Sequence, residues 1–111
     1  MQAFELDDTL NERQRSGRRY FEFLRVPALS AGVYVLPAGG EDPQKPHSED
    51  ELYYIASGAG SIEVDGESRP IRPGSLIYVP ARVPHRFHSI TAELRILVFF
   101  APAEYTQAQQ G

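Results

Sequence analysis

Four polar side chains alternate along one short stretch of the chain: Lys45, His47, Glu49 and Glu51. On a β-strand, residues two apart point to the same face, so this alternation would bring all four side chains to one place. An apolar run follows directly, which indicates that the stretch enters a core. Polar groups in a core must be satisfied by a metal ion, a ligand or one another. The sequence offers one partner for them, His85, which follows a short strand and two prolines.

Period-two alternation and turn residues predict about eight short strands that position these groups. The strands cover residues 20–26, 32–36, 51–56, 61–64, 68–71, 76–79, 85–90 and 94–100. Asp65-Gly66 predicts a tight hairpin, because both central positions of a type I′ turn need positive φ. Pro73-Gly74 predicts the next corner. This pattern predicts an all-β sandwich or barrel without a helix of any length.

The composition limits the classes of function. A chain of 111 residues predicts one domain spanning 1–111. The absence of cysteine excludes disulfides and thiolate metal sites. The net charge of −4 disfavours a nucleic-acid partner. No apolar run approaches the ~18 residues of a membrane span, and the acidic N-terminus lacks the apolar segment of a signal peptide, so we expect a cytoplasmic protein without a membrane partner.

Both ends of the chain are polar. Residues 1–18 predict an N-terminal arm that is ordered by contact or forms a loop, because Leu10 is the only apolar residue between positions 7 and 18. Residues 103–111 predict a frayed C-terminal tail. The only basic cluster, Arg13, Arg15, Arg18 and Arg19, is interpreted as a solvated surface rather than as an anion site.

The stretch around His47 resembles the first motif of the cupin superfamily, G-x5-H-x-H-x3,4-E-x6-G. The residues at those spacings are Gly39, Lys45, His47, Glu51 and Gly58. Lys45 therefore stands where the family has its first histidine, which removes a usual metal ligand. The other positions of the motif are retained.

The stretch around His85 resembles the second cupin motif, G-x5-P-x-G-x2-H-x3-N. The residues at those spacings are Gly74, Pro80, Arg82, His85 and Ser89, so that arginine replaces the glycine and serine the asparagine. Fifteen residues separate the two motifs, as in small single-domain bacterial cupins. The resemblance implies a double-stranded β-helix, or jelly roll, with a metal site inside the barrel.

By carry-over from the family, the expected metal ligands are His47, Glu51 and His85. Glu49 has the strand parity to supply a fourth ligand, and Gln44 is close to it in the preceding loop. Two imidazoles and one carboxylate with open positions suit Fe(II), and also Mn, Ni or Zn. The alternative is that the histidines are ordinary core residues and that Glu51 is a buried acid of raised pKa.

Two classes of function remain open for such a chain. The first is a metal-dependent enzyme, an oxygenase or an isomerase, acting on a small molecule inside the barrel. The second is a binding or sensing module without turnover, which the loss of the first histidine favours. Lys45 is a candidate to hold a substrate anion, and Tyr53 and Tyr78 are candidates to line the pocket.

The last predicted strand is apolar on both faces. Leu94 to Phe100 has apolar residues at nearly every position, whereas an antiparallel sheet usually leaves one face wet. A second apolar face indicates a covered surface. Together with the aromatic strand Tyr20 to Leu24, which two subunits could exchange, it predicts a homodimer.

Overall fold

The computed structural model describes residues 1–106, which form one helix and six strands. The elements are α1 (Leu6–Ser16), β1 (Tyr20–Val26), β2 (Leu29–Leu36), β3 (Asp50–Val64), β4 (Glu67–Ile71), β5 (Leu76–Val79) and β6 (His85–Ala101). The strands pair antiparallel in the order β1-β2-β6-β3-β4, and β5 pairs with β3. The predicted β architecture is therefore confirmed, but the expectation that the chain has no helix of any length is wrong, because α1 has 11 residues. Within residues 1–106, no helix is long and apolar enough to cross a membrane.

The two longest strands each serve both halves of the fold. The predicted strands 51–56 and 61–64 are one strand, β3, and the predicted strands 85–90 and 94–100 are one strand, β6. Between Ile55 and Ser61 the register of β3 against β6 shifts three times. Residues before this bend pair with β5 and the end of β6, and residues after it pair with β4 and the start of β6. The chain therefore needs six strands where short alternating runs predicted about eight.

Gly58 makes this bend sterically possible. Its φ is 101°, and a Cβ at this position would lie 2.2 Å from the carbonyl oxygen of Glu93 on β6. Only glycine tolerates both the left-handed backbone and the close approach. The predicted hairpin turn is confirmed in the same half of the fold, because Asp65 and Gly66 have φ values of 50° and 81°.

The interpretation of residues 1–18 as an arm or loop is wrong for positions 6–16, which form α1. Asp7 and Asp8 lie in its first turn and Arg13 and Arg15 in its last, where these charges interact favourably with the helix dipole. Gly17, in the left-handed conformation, caps the C-terminal end. Charge placement and capping thus stabilise a helix that has almost no apolar face.

The prediction of a frayed C-terminal tail is also wrong for the residues that the structure describes. Ala103 is 1% exposed and Glu104 is 8% exposed. The backbone N–H of Ala103 donates to the carbonyl oxygen of Pro27. Ala103 and Glu104 are therefore packed against the barrel, whereas Tyr105 and Thr106 are exposed, and positions 107–111 lie outside the described residues.

The core lies between the two halves of the barrel. It includes seven side chains with at most 2% of their surface exposed: Tyr53, Ile55, Ile62, Phe87, Leu94, Ile96 and Phe100. Burying a side chain of this size contributes about 1.5–3 kcal/mol. The inner face of the first half of β3 is part of this core, and it also carries the predicted ligand Glu51.

Candidate metal centre

The three expected ligands converge where β3 and β6 enter the barrel. Glu51 is the second residue of β3, His85 is the first residue of β6, and His47 lies in the loop before β3. Nδ1 of His47 and Nε2 of His85 lie 3.3 Å and 3.2 Å from the same Glu51 oxygen, Oε1. One ligand atom from each residue lies within 4.8 Å of the other two, so the three side chains can reach a common ion.

The state of the donor atoms fits a metal ion. His47 Nδ1, His85 Nε2 and both carboxylate oxygens of Glu51 are buried, and none of their mutual contacts has hydrogen-bond geometry. Buried polar atoms are nearly always hydrogen-bonded, so four orphaned atoms in one place need an explanation. Two imidazoles and one carboxylate form a donor set that divalent transition metals prefer. A bound divalent ion would satisfy all of these groups.

Interactions within the cluster favour the charged forms of Glu51 and His85, although both side chains are buried. Burial raises the pKa of Glu51, but the adjacent imidazoles of His47 and His85 lower it by more, so the net pKa lies below its ordinary value. Burial lowers the pKa of His85, but Glu51 and the carbonyl oxygen of Val83 raise it by more, so the net pKa lies above its ordinary value. The carboxylate is thus kept ionised, as a metal ligand must be.

Glu49 does not lie with the three ligands. The alternation inferred from Lys45 onwards needs a strand there, but β3 begins only at Asp50. Glu49 is 1% exposed, and its carboxylate accepts hydrogen bonds from the Ser48 hydroxyl and, at 2.8 Å, from the backbone N–H of Tyr105. Through its hydrogen bond with Tyr105, Glu49 holds the C-terminal segment. Lys45 is exposed and lies outside the lining of the cavity described below.

The other candidate residues are divided between the inside and the outside of the barrel. Tyr53 lines the cavity, and its hydroxyl donates to Oε1 of Gln44 at 3.0 Å. Gln44 in turn donates from Nε2 to Oδ2 of Asp42 at 2.6 Å, so its amide supports the wall rather than the cluster. Tyr78 lies on the outer face with 59% of its surface exposed. The third histidine, His88, is half-buried on β6, and its Nε2 lies 2.9 Å from the Ser68 hydroxyl, apart from the other two histidines.

A cavity of about 480 Å³ leads to the cluster. Its lining combines aromatic and charged side chains, and it includes Tyr20, Tyr34, Tyr53, Phe100, Arg18, Glu22, Arg25 and Glu104. Burial raises the pKa values of the three tyrosines well above their ordinary range, so their hydroxyls stay protonated. The size and the mixed lining suit a small, partly apolar ligand with a charged group.

Two residues of this site were missed in the sequence, Asp42 and Glu104. Asp42 accepts hydrogen bonds from the Tyr34 hydroxyl at 2.6 Å and from the backbone N–H of Phe87 at 2.9 Å. Its position before a proline in a loop gave no sign of this role. The carboxylate oxygen Oε2 of Glu104 lies 3.4 Å from the ring nitrogen Nε2 of His47. The polar character of the segment around Glu104 predicted a frayed tail, which hid this contact.

Comparison with known proteins decides the family. The family model described as the cupin domain matches residues 32–100, which is more than half of the chain. The chain belongs to the cupin family. The double-stranded β-helix predicted from the two motifs is confirmed with it, because similar solved structures are cupins of this fold. This cupin keeps the second histidine and the glutamate of the first motif and the histidine of the second, and Lys45 is the departure among the usual ligand positions.

Relatives of this cupin are of several kinds. An uncharacterized protein of Streptomyces coelicolor is 46% identical over 94% of this chain and 99% of its own. The structure of KdgF from Halomonas sp. is similar with a TM-score of 0.68 and 23% identity, over 75% of this chain and 76% of the other. A variant of salicylate 1,2-dioxygenase from Pseudoaminobacter salicylatoxidans is similar with a TM-score of 0.71 and 19% identity, over 86% of this chain but 31% of the other. At these identities the two structures establish the fold alone.

Proposed function

We propose that this cupin is a small metal-dependent enzyme with oxygenase- or isomerase-like chemistry that acts on a small anionic molecule inside its barrel. The observation that carries the proposal is the convergence of four buried, unsatisfied donor atoms on His47, Glu51 and His85 at the inner end of the cavity. Three protein ligands leave positions open on a six-coordinate ion, which a catalytic ion needs and a structural ion lacks.

The metal we propose is a divalent transition ion, Fe, Mn, Ni or Zn. Bound between the two imidazoles and the carboxylate, it would supply a Lewis acid or an oxygen-binding centre. The protein itself contributes a buried site, a fixed carboxylate and tyrosine hydroxyls that remain protonated donors on the cavity wall. Tyr53 is the candidate among them to contact substrate, since it lines the cavity on the same face of β3 as Glu51.

The charges of the cavity support an anionic ligand. Two arginines and three glutamates line it, which leaves one negative charge that a bound divalent ion would turn into one positive charge. Arg25 is engaged by the Glu22 carboxylate at 2.9 Å. Arg18 forms no ion pair with any carboxylate of residues 1–106, so its guanidinium is available to a ligand. This changes the interpretation of the basic cluster, because one of its members lies at the cavity.

Metal content tests this proposal directly. We expect His47→Ala and His85→Ala to lose the metal that the wild-type protein carries after purification, because each removes one of three ligands. His88→Ala is the matched control, since His88 lies outside the barrel and should leave the metal content unchanged. If both ligand variants stay folded and keep the wild-type metal content, the proposal is wrong and the cluster is a buried ion-pair network.

A binding or sensing protein without turnover is the second candidate. It is favoured by Lys45, which stands where the family has its first histidine and lies exposed, away from the cluster. Oxygen consumption and product formation by the metal-loaded protein, screened with small aromatic and hydroxy acids, separate the two candidates. Saturable binding without turnover of any bound acid would favour the second.

We also propose that the protein is a homodimer. Beside the outward residues Leu97 and Phe99 of β6 lie Leu52 and Tyr54 of β3, which are 40% and 38% exposed. Leu76 and Tyr78 of β5 extend the patch, and they are 63% and 59% exposed. A continuous apolar patch across three strands supports an interface, and a second copy of the chain is the partner we propose.

A further inference from the structure

Each imidazole of the cluster has one nitrogen towards Glu51 and the other towards a second acceptor. For His85, Nε2 lies 3.2 Å from Glu51, and Nδ1 lies 2.9 Å from the carbonyl oxygen of Val83. For His47, Nδ1 lies 3.3 Å from Glu51, and Nε2 lies 3.4 Å from Oε2 of Glu104. The nitrogen that faces Glu51 is thus Nδ1 in His47 but Nε2 in His85. An acceptor at the second nitrogen decides which nitrogen keeps the proton and which is free to bind a metal ion.

The backbone around Glu104 is fixed on three sides. Its N–H donates to the Ser30 hydroxyl at 2.9 Å, and its carbonyl oxygen accepts from the Arg25 guanidinium at 2.5 Å. The next residue, Tyr105, donates its N–H to the buried Glu49 carboxylate at 2.8 Å. Glu104 itself is 8% exposed. These contacts place the Glu104 carboxylate beside His47 and give the buried Glu49 a structural purpose.

The position of Glu104 distinguishes it from a fourth metal ligand. The cluster whose ligand atoms lie within 4.8 Å of one another consists of His47, Glu51 and His85. Glu104 approaches the ring nitrogen of His47 that faces away from Glu51. The distance of 3.4 Å between the two atoms is longer than an optimal hydrogen bond of about 2.9 Å.

We propose that Glu104 is a positioning residue for the metal centre. Its carboxylate accepts the Nε2 proton of His47, which fixes the ring orientation and keeps Nδ1 free to bind the ion. The backbone carbonyl of Val83 does the same for His85 with the opposite pair of nitrogens. This inference rests on the proposed metal function. It makes the C-terminal segment part of the site, held in place by Glu49 and Ser30.

The proton positions can be measured without any activity. We expect long-range 1H–15N NMR spectra of the metal-free wild type, taken where the imidazoles are neutral, to place the proton of His47 on Nε2 and that of His85 on Nδ1. In Glu104→Ala the preference of His47 should weaken, while the spectrum of His85 stays unchanged. A proton on Nδ1 of His47 in the wild type would overturn the proposal.

Zinc affinity provides the second measurement, because Zn²⁺ is diamagnetic and redox-inactive. Loss of an outer carboxylate partner typically weakens metal affinity about 10–100-fold, so we expect that loss in Glu104→Ala and a smaller one in Glu104→Gln. Glu63→Gln is the matched control, since Glu63 pairs with Arg86 outside the lining of the cavity, and the zinc affinity of this variant should change less than threefold.

The outcomes separate this inference from the proposed function. If the wild type binds no zinc, the metal proposal fails, while the proton positions of His47 still decide the role of Glu104. If zinc binds and both Glu104 variants, checked for folding by circular dichroism, keep wild-type affinity, Glu104 is not a positioning residue. Glu104→Gln keeps the size of the side chain, so it remains informative if Glu104→Ala fails to fold.

Discussion

The first half of β3 has two faces with opposite character. Its inward residues Glu51 and Tyr53 are 2% and 0% exposed, whereas its outward residues Leu52 and Tyr54 are 40% and 38% exposed. A carboxylate is therefore buried and a leucine is in water, which inverts the usual distribution. The inner face of β3 carries a polar cluster where apolar side chains would usually pack. The outer face carries apolar side chains that folding of the single chain does not bury. Each face thus supports one of the two binding events proposed above, a metal ion inside and a partner subunit outside.

Replacing Glu51 should produce the largest effect, because it removes the only carboxylate of the cluster. We expect Glu51→Gln to weaken zinc binding by more than ~100-fold, beyond the effect of losing an outer partner. Leu52→Thr, on the other face of the same strand, should leave zinc affinity within threefold. Isothermal titration of the two folded variants measures this contrast. Equal affinities would mean that the inner face of β3 does not hold the ion.

A charge introduced into the apolar patch of the outer face should prevent dimerisation. We expect the wild type to be a dimer at micromolar concentration and Leu76→Asp to be a monomer with unchanged metal content, because a buried unpaired carboxylate opposes association. Arg69→Asp, at an exposed position of β4, is the control for a new aspartate. Light scattering measures the mass. A monomeric wild type would contradict the dimer.

The smallest expected effect comes from removing one hydroxyl, either from Tyr53 inside the barrel or from Tyr78 on its outer face. The Tyr53 hydroxyl donates to Gln44 in the buried wall, so Tyr53→Phe should reduce the free energy of unfolding by about 1 kcal/mol. Tyr78 is exposed, and Tyr78→Phe should change it by less than ~0.5 kcal/mol. Chemical denaturation measures both. A larger cost for Tyr78→Phe than for Tyr53→Phe would contradict this difference between the inner and the outer hydroxyl.

Local signals in the sequence were sufficient for the positions of most strand residues, whereas the three expected ligands came from the resemblance to the cupin motifs. The alternation around Glu51 and the Asp65-Gly66 turn each depend on neighbouring residues, and the structure brings the three expected ligands together. The two cupin motifs supplied what alternation could not, namely that distant stretches meet inside one barrel. The family match confirms that resemblance.

What the sequence did not reveal depends on contacts between distant segments or on weak local signals. The helix α1 was missed because its stability comes from Asp7, Asp8 and Gly17 rather than from an apolar face. Glu49 was a candidate for a fourth ligand by strand parity, but its carboxylate accepts a hydrogen bond from the backbone N–H of Tyr105. Glu104 was missed because the polarity of residues 103–106 resembles that of a free end, although tertiary hydrogen bonds hold it.

The most direct measurement of the central claim is anomalous X-ray diffraction from crystals of the metal-loaded protein, collected at the absorption edge of the ion. We expect one anomalous peak per chain, between Nδ1 of His47, Nε2 of His85 and the carboxylate of Glu51, within about 2.0–2.3 Å of each ligand atom. Absence of a peak among these three residues, in crystals whose ion content is confirmed by fluorescence, would contradict a metal centre on the inner face of β3.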